Sequence, residues 1–272
     1  EHKIGNRIRV GENFLYSATN GNVPDTRSTQ AGLLWSALRF NPAIPVKNAD
    51  GSWGSSKADN ELGDINNPVF TASVADNKNE SRRVLANAYA EIDLLKGLTL
   101  KFNYGFDQTN YDGYSFSIAT PDQTRVNSLA TLTQSHAVST SWLEEIYLNY
   151  NTRFGQDHSL TLTGGYSAQT FAASSFYAQR RGYTDPADDH RILDNGSSAN
   201  QFSGGGGNGN PYAGLRSYFA RGNYAYKGRY LLTATMRADG SSKFAPGKQW
   251  GYFPAFSAGW RISDEDFFKS KL

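Results

Sequence analysis

Four histidines, His2, His136, His158 and His190, are the only imidazoles in the chain, and cysteine is absent. Disulfides, thiolate zinc sites and cysteine nucleophiles are thereby excluded. No histidine lies in a His-Glu-x-x-His pair, and no Gly-x-Ser-x-Gly elbow offers a serine nucleophile. Glu144 and Glu145 are adjacent carboxylates, but neighbours in a strand point to opposite faces and cannot share a substrate. Asp185, Asp188, Asp189 and His190 carry ligands that suit a hard cation, yet they lack Asp-x-Asp-x-Asp-Gly spacing, and acidic loops are ordinarily solvated. The run Gly204-Gly205-Gly206-Gly207-Asn208-Gly209-Asn210 is followed by no helix start with Lys-Ser or Lys-Thr, so it reads as a flexible loop tip and not a phosphate cradle. The sequence predicts no catalytic residue, no metal site and no cofactor. It is not the sequence of an enzyme.

Binding chemistry is better represented. Trp35, Trp53, Tyr111, Tyr114, Tyr177, Tyr183 and Tyr212 fall in or beside long connections. Rings with a polar tip stack on the apolar faces of sugars while exchanging hydrogen bonds with their hydroxyls. Arg180 and Arg181, next to Tyr183, add donors for a hydroxylated or anionic ligand. The candidate ligand vestibule is therefore Trp35, Trp53, Tyr111, Tyr114, Arg180, Arg181 and Tyr183. Aromatics that pack long loops against one another, and arginines that meet a neighbouring acidic loop, are the competing reading.

The elements that would position these residues are strands. From Val84 to Leu94 the even positions are Val, Ala, Ala, Ala, Ile and Leu, and the odd positions include Asn87, Glu91 and Asp93. The alternation resumes after Leu95-Lys96-Gly97 with Leu98, Leu100, Phe102, Tyr104 and Phe106, so this is a strand, tight turn, strand unit. It recurs at 230–238 and 250–262, and weaker candidates at 4–19, 137–152, 158–179 and 216–227 bring the count to about eight strands. Glu12 and Glu144 fall on faces that should be apolar. Connections alternate between long (20–83, 111–136, 180–215) and short (95–97, 153–157, 227–229), with 240–249 intermediate. Tight turns at one end and long loops at the other are the order of an outer-membrane barrel.

Composition agrees with an all-β chain: 16 Tyr, 16 Phe and 27 Gly accompany a single methionine, Met236. With no initiating methionine, the chain reads as processed or excerpted. A formal charge of +2 supplies no basic stripe, so nucleic acid is not expected as a partner. No apolar run is long enough for a membrane helix, whereas a transmembrane strand needs only about 9 to 11 residues. Trp250 and Trp260 share a face ten residues apart, about 33 Å along a strand and about 25 Å at a tilt near 40°, the height of an outer-membrane apolar band. Two core tryptophans of a sandwich strand would show the same spacing.

The run Tyr218-Phe219-Ala220-Arg221-Gly222-Asn223-Tyr224-Ala225-Tyr226-Lys227-Gly228-Arg229-Tyr230, the segment Arg237-Ala238-Asp239-Gly240-Ser241-Ser242-Lys243-Phe244 and the segment Trp250-Gly251-Tyr252-Phe253-Pro254-Ala255-Phe256-Ser257-Ala258-Gly259-Trp260 carry a specific likeness. They resemble the barrel of the SusC/RagA family of TonB-dependent outer-membrane transporters. Asn41-Pro42-Ala43-Ile44-Pro45-Val46, Asp50-Gly51-Ser52-Trp53, Asn67-Pro68 and Gly97-Leu98-Thr99-Leu100 resemble that family more loosely. The resemblance implies a 22-strand barrel with an N-terminal plug. Residues 1–272 would be part of that single barrel domain, a middle slice without plug, TonB-contacting segment or remaining strands. It further implies import of a bulky nutrient across the bacterial outer membrane, an oligosaccharide first and a peptide second. A SusD-like surface lipoprotein, the TonB complex and outer-membrane lipid would be the partners. A self-contained eight-strand porin-like or adhesin-like barrel and a secreted carbohydrate-binding β-sandwich remain as alternatives.

Overall fold

The computed structural model describes residues 1–22, 32–55, 65–120, 123 and 127–269. Nine antiparallel strands lie side by side in chain order: β1 (His2–Ile4), β2 (Ile8–Asn22), β3 (Asp76–Leu95), β4 (Leu98–Ser117), β5 (Thr131–Phe154), β6 (His158–Arg181), β7 (Gln201–Tyr226), β8 (Tyr230–Ser241) and β9 (Trp250–Trp260). One strand more than the sequence predicts is present, because Gly5 at positive φ folds three residues back onto β2. Among the described residues β1 and β9 are the unpaired edges, so the sheet is an open wall.

Residue parity survives the whole sheet. Phe14 faces Ala86, Ala86 faces Phe106, Phe106 faces Trp142 and Trp142 faces Thr170. Further on, Tyr226 faces Tyr230, which faces Trp260. Opposed residues share a face, so even positions of β2 to β9 lie on one side and odd positions on the other. Irregularities occur only at Asp93 to Leu95, beside a turn, and where β6 meets β7. In β7, residues beyond the bulge pair with opposite parity, so Phe202 faces Gln179. Gly207 is required there: its φ is +69°, and the Ala173 carbonyl fills the place of a Cβ.

The strands are longer than alternation predicts. β3 begins at Asp76 and not 84, β5 at Thr131 and not 137, and β7 at Gln201 and not 216. The glycine-rich run 204–210, expected to be a loop tip, is a strand, because glycines leave backbone pairing to Tyr177, Phe176 and Ser175 unobstructed. In these extensions both faces are polar or small, and the period-two signal on which a sequence reading depends disappears.

The even face is apolar through the middle of the sheet and exposed there: Phe256 is 81% accessible and Phe14 71%. Glu12 and Glu144 sit exposed on it, between Val10 and Phe14 and between Trp142 and Ile146. Two aromatic ladders border this band. One runs His158, Tyr226, Tyr230, Trp260, with centroids 4.9, 6.1 and 6.5 Å apart. The other runs Tyr166, Tyr218, Trp250 at 5.2 and 5.8 Å. Eight to ten residues separate the ladders along β6, β7 and β9, about 20 to 25 Å along the axis of a tilted barrel. The odd face is polar and internally bonded. Arg9 reaches Glu91 at 3.0 Å and Asp93 at 2.9 Å, Lys101 reaches Glu91 at 2.9 Å, and Arg83 pairs with Asp107.

Tight turns at 5–7, 96–97, 155–157 and 227–229 share one end of the sheet, and the long connections share the other. The β2–β3 connection carries helices α1 (Leu33–Arg39) and α2 (Pro68–Val74). Asn67 caps α2: its side-chain oxygen accepts from the Val69 and Phe70 amides, and its Nδ2 donates to the Val46 and Gly54 carbonyls, so this amide is fully buried yet satisfied. A short third helix, α3 (Asp266–Lys269), follows β9. A compact buried cluster, Phe116, Ala130, Leu132 and Tyr183, lies on the even side at the loop end, where the 182–200 connection folds over the wall. Arg191 fastens that connection with a 2.8 Å bond to Asp76 and lies over the Phe116 ring.

Candidate ligand vestibule

Long strands carry the odd face past the apolar band, and a cleft of about 510 Å³ opens on it near the loop end. Tyr111 on β4, Ser139 on β5, Ser175 on β6 and Asn208, Asn210 and Tyr212 on β7 line it. Alternation places Tyr111 and Ser175 on this face, and the irregular β7 stretch opposite Phe171 to Ser174 brings the two asparagines and Tyr212 beside them. The Tyr111 hydroxyl donates to Asn79 Oδ1 at 2.7 Å, which fixes its ring along the wall. Tyr212 is 61% exposed. The lining presents two phenols, hydroxyls and carboxamides and no formal charge. It can stack on and hydrogen-bond a neutral polar ligand. It holds no nucleophile beside a base and no donor set for a metal.

The other candidates from the sequence are distributed. Arg181 is on the same face as Tyr111, with its guanidinium over the Phe202 ring at 4.8 Å and Nε donating to Gln179. Arg180 is on the opposite face, where it binds the carbonyls of Asp194 and Gly196 and holds the 182–200 connection. Tyr183 packs edge-on against Phe116 at 5.4 Å and donates to the Ile192 carbonyl. Burial raises the pKa of its phenol. Tyr114 rims the same cluster. Trp35 stacks under Arg39 within α1. Trp53 lies under Lys47 at 3.4 Å and edge-on to Phe70. The sheet thus groups Tyr111 and Arg181 and separates them from Tyr114, Arg180 and Tyr183. Asn208, Asn210, Ser139 and Ser175 escaped the sequence reading. Both serines lie within the strands expected at 137–152 and 158–179, where the odd count already places them on the polar face.

In the acidic connection, Asp185 accepts from the Ala187 amide and pairs with His190 at 2.7 Å, and both bonds hold its carboxyl below the usual range. Asp188 is engaged by Arg191 at 2.6 Å. No group of three or more potential metal ligands occurs among the described residues.

A meander with an exposed apolar band, aromatic borders and a polar inner face is the wall of an outer-membrane β-barrel. Comparisons with known proteins agree. TonB-dependent receptor P3 of Formosa agariphila is 31% identical over 276 residues, covering 98% of this chain and 26% of that protein. The TonB-dependent receptor SusC of Bacteroides thetaiotaomicron is 53% identical over 55 residues, 20% of this chain and 6% of that one. The structure of the RagAB peptide transporter superposes with a TM-score of 0.78 at 18% identity, over 98% of this chain and 30% of that one. No family model matches the chain. In sequence the chain is similar to part of the TonB-dependent receptors, SusC among them, which are bacterial outer-membrane proteins and not enzymes, and it shares the barrel fold of the RagAB transporter. It spans about a quarter of the length of the curated relatives that match it throughout.

Proposed function

We propose that residues 1–272 form part of the wall of a larger TonB-dependent barrel that imports a bulky nutrient, with a plug and further strands supplied by sequence outside this segment. Supporting this, relatives about four times as long carry the similarity, and the sheet leaves both edges unpaired. The observation that carries the membrane reading is the band between the aromatic ladders: exposed apolar residues on adjacent strands, Leu148 (42%), Leu162 (43%), Leu232 (53%) and Phe256 (81%), form a face that water disfavours and lipid solvates. The even face meets lipid and the odd face the lumen. Tight turns lie at the periplasmic end and long connections outside.

The cargo in this reading is an oligosaccharide, taken up through the Tyr111 and Tyr212 cleft, whose uncharged lining of phenols, hydroxyls and amides suits sugar rings. A SusD-like surface lipoprotein closes the outer mouth, and the TonB complex acts through the plug. The test is titration of the full-length receptor with neutral oligosaccharides and with peptides of matched mass, for wild type and Tyr111→Ala/Tyr212→Ala. Saccharide affinity falling about tenfold or more in the variant is the expected result. Peptides bound in preference, or an unchanged saccharide affinity, defeats the cargo assignment.

A further inference from the structure

We propose that the barrel carries a second, outward-facing saccharide site, above the lipid band, that holds the sugar headgroup of an outer-leaflet glycolipid. The site is a cavity of about 660 Å³ on the even face at the loop end, on the far side of the sheet from the cargo cleft. Its floor is a single transverse row of paired residues, Asn20, Glu80, Asp112, His136 and Phe176, one from each of β2 to β6. Tyr114 and Gln134 belong to the next row outward, and Leu193 of the 182–200 connection leans over the rim.

The lining has what a sugar ring requires. Phe176 is 60% exposed and offers a flat apolar face, steadied by the His136 ring at 5.5 Å. The Asp112 carboxylate is held rigid, with Oδ1 bonded to His136 Nδ1 at 2.6 Å and Oδ2 to Arg82 at 3.0 Å. Each oxygen keeps a lone pair for a hydroxyl. The amides of Asn20 and Gln134 make no side-chain hydrogen bond among the described residues, so each can both donate to and accept from hydroxyls. Glu80 and Asp112 repel a phosphate, and the nearby cations are already paired, Arg82 with both of these carboxylates and Lys78 with Asp76. A neutral, hydroxylated ring is the ligand that fits.

Position selects the source of that ring. Asp112 and His136 lie six residues beyond Phe106 and Trp142, the aromatic pair on β4 and β5. That is about 20 Å along the strands and about 15 Å above the interface. The cavity continues upward from the lipid-facing surface, and the wall separates it from anything in the lumen. A molecule whose acyl chains lie against the even face below reaches it with its headgroup.

The inference rests on the membrane orientation proposed above, which has its own check: Phe176→Cys in the full-length receptor is expected to react with an impermeant maleimide on intact cells. Absence of labelling there overturns the orientation. The site itself is tested on receptor extracted in mild detergent, by the lipopolysaccharide that co-purifies and by titrating stripped receptor with purified lipopolysaccharide, its acid-released core oligosaccharide and phosphatidylethanolamine. Retained lipopolysaccharide is expected to fall at least tenfold in Phe176→Ser/Gln134→Leu, with phosphatidylethanolamine not competing. If the double variant loses heat-modifiable mobility, Gln134→Leu alone, at an exposed and unpartnered amide, is expected to lower retention about threefold. Equal retention by the folded variants, or displacement by phosphatidylethanolamine, overturns the site. Core oligosaccharide that binds as tightly as the intact glycolipid overturns the lipid source.

Discussion

The even face of this sheet changes character along its strands. Between the two aromatic ladders it is Leu, Ala, Phe and Met, uncovered, with Phe256 81% exposed. Beyond Trp142 and Phe106 the same face, in the same register, becomes Arg82, Asp112 and His136, and it carries a compact buried cluster, under the strap fastened by Arg191. A soluble protein buries its apolar residues against itself. Here one stretch relies on lipid for that and the other on a folded-over loop, so parity alone does not specify environment. Height along the strand decides it.

That contrast can be broken experimentally. The largest expected effect is at Leu132, which is 0% exposed under the strap. Leu132→Ala should cost about 2 to 5 kcal/mol of local stability and expose Arg191 to trypsin while the membrane band stays protected. Next comes a charge placed on the even face at two heights. Phe256→Arg, between the ladders, should destabilise the barrel by about 2 to 4 kcal/mol in urea titrations in lipid vesicles. Gln134→Arg, above them, should change it by less than about 0.5 kcal/mol. Equal costs would falsify the division of the face.

A smaller effect is expected on the odd face. Arg9→Met leaves Glu91 with Lys101 and Asp93 with the Thr99 hydroxyl. The loss should be small and shrink further as salt is added, read as the shift in the urea midpoint. The smallest concerns Glu265 beyond β9, which accepts from Tyr230 at 2.7 Å, Trp260 Nε1 at 3.0 Å and Arg229 at 3.0 Å. Bonds from Tyr230 first, then Trp260, hold its carboxyl below its ordinary 4.5. A depressed carboxylate contributes stability that is present above about pH 4.5 and lost as pH falls through the lower, folded value. Trp260 fluorescence should therefore be steady from neutral pH to about 4.5 and shift only below it, and Glu265→Gln should remove the step.

The membrane part of this architecture was legible in the sequence because lipid on one side and polar groups on the other impose alternation. Val84 to Leu94 and Leu98 to Phe106 show it residue by residue, and the register keeps those assignments up to the irregularity at Asp93 to Leu95 beside the turn. Where water or a loop covers both faces, at 76–83, 109–117 and 201–215, alternation fades, and the reading stopped short of the true strand ends. The site suffered accordingly. Arg180 and Arg181 look like one basic pair in sequence, but they point to opposite sides of a strand not recognised that far out. Tyr183 looked available because its partner Phe116 lay beyond the end assigned to β4.

The bulge in β7 bears on how such proteins diversify. Below it, β6 and β7 keep the phase that holds Tyr218 and Tyr224 to the lipid. Above it the phase is reversed, and Phe202 turns inward. Loops of cell-surface receptors change length by insertion and deletion, and a single-codon slip in an uninterrupted strand would invert everything downstream. The irregular stretch Gly207 to Tyr212 acts as an expansion joint: a residue gained or lost there re-aims the outer part of the strand and leaves the lipid-facing part in frame. Natural variation in the binding surface of this wall should therefore be concentrated on the outer side of that joint.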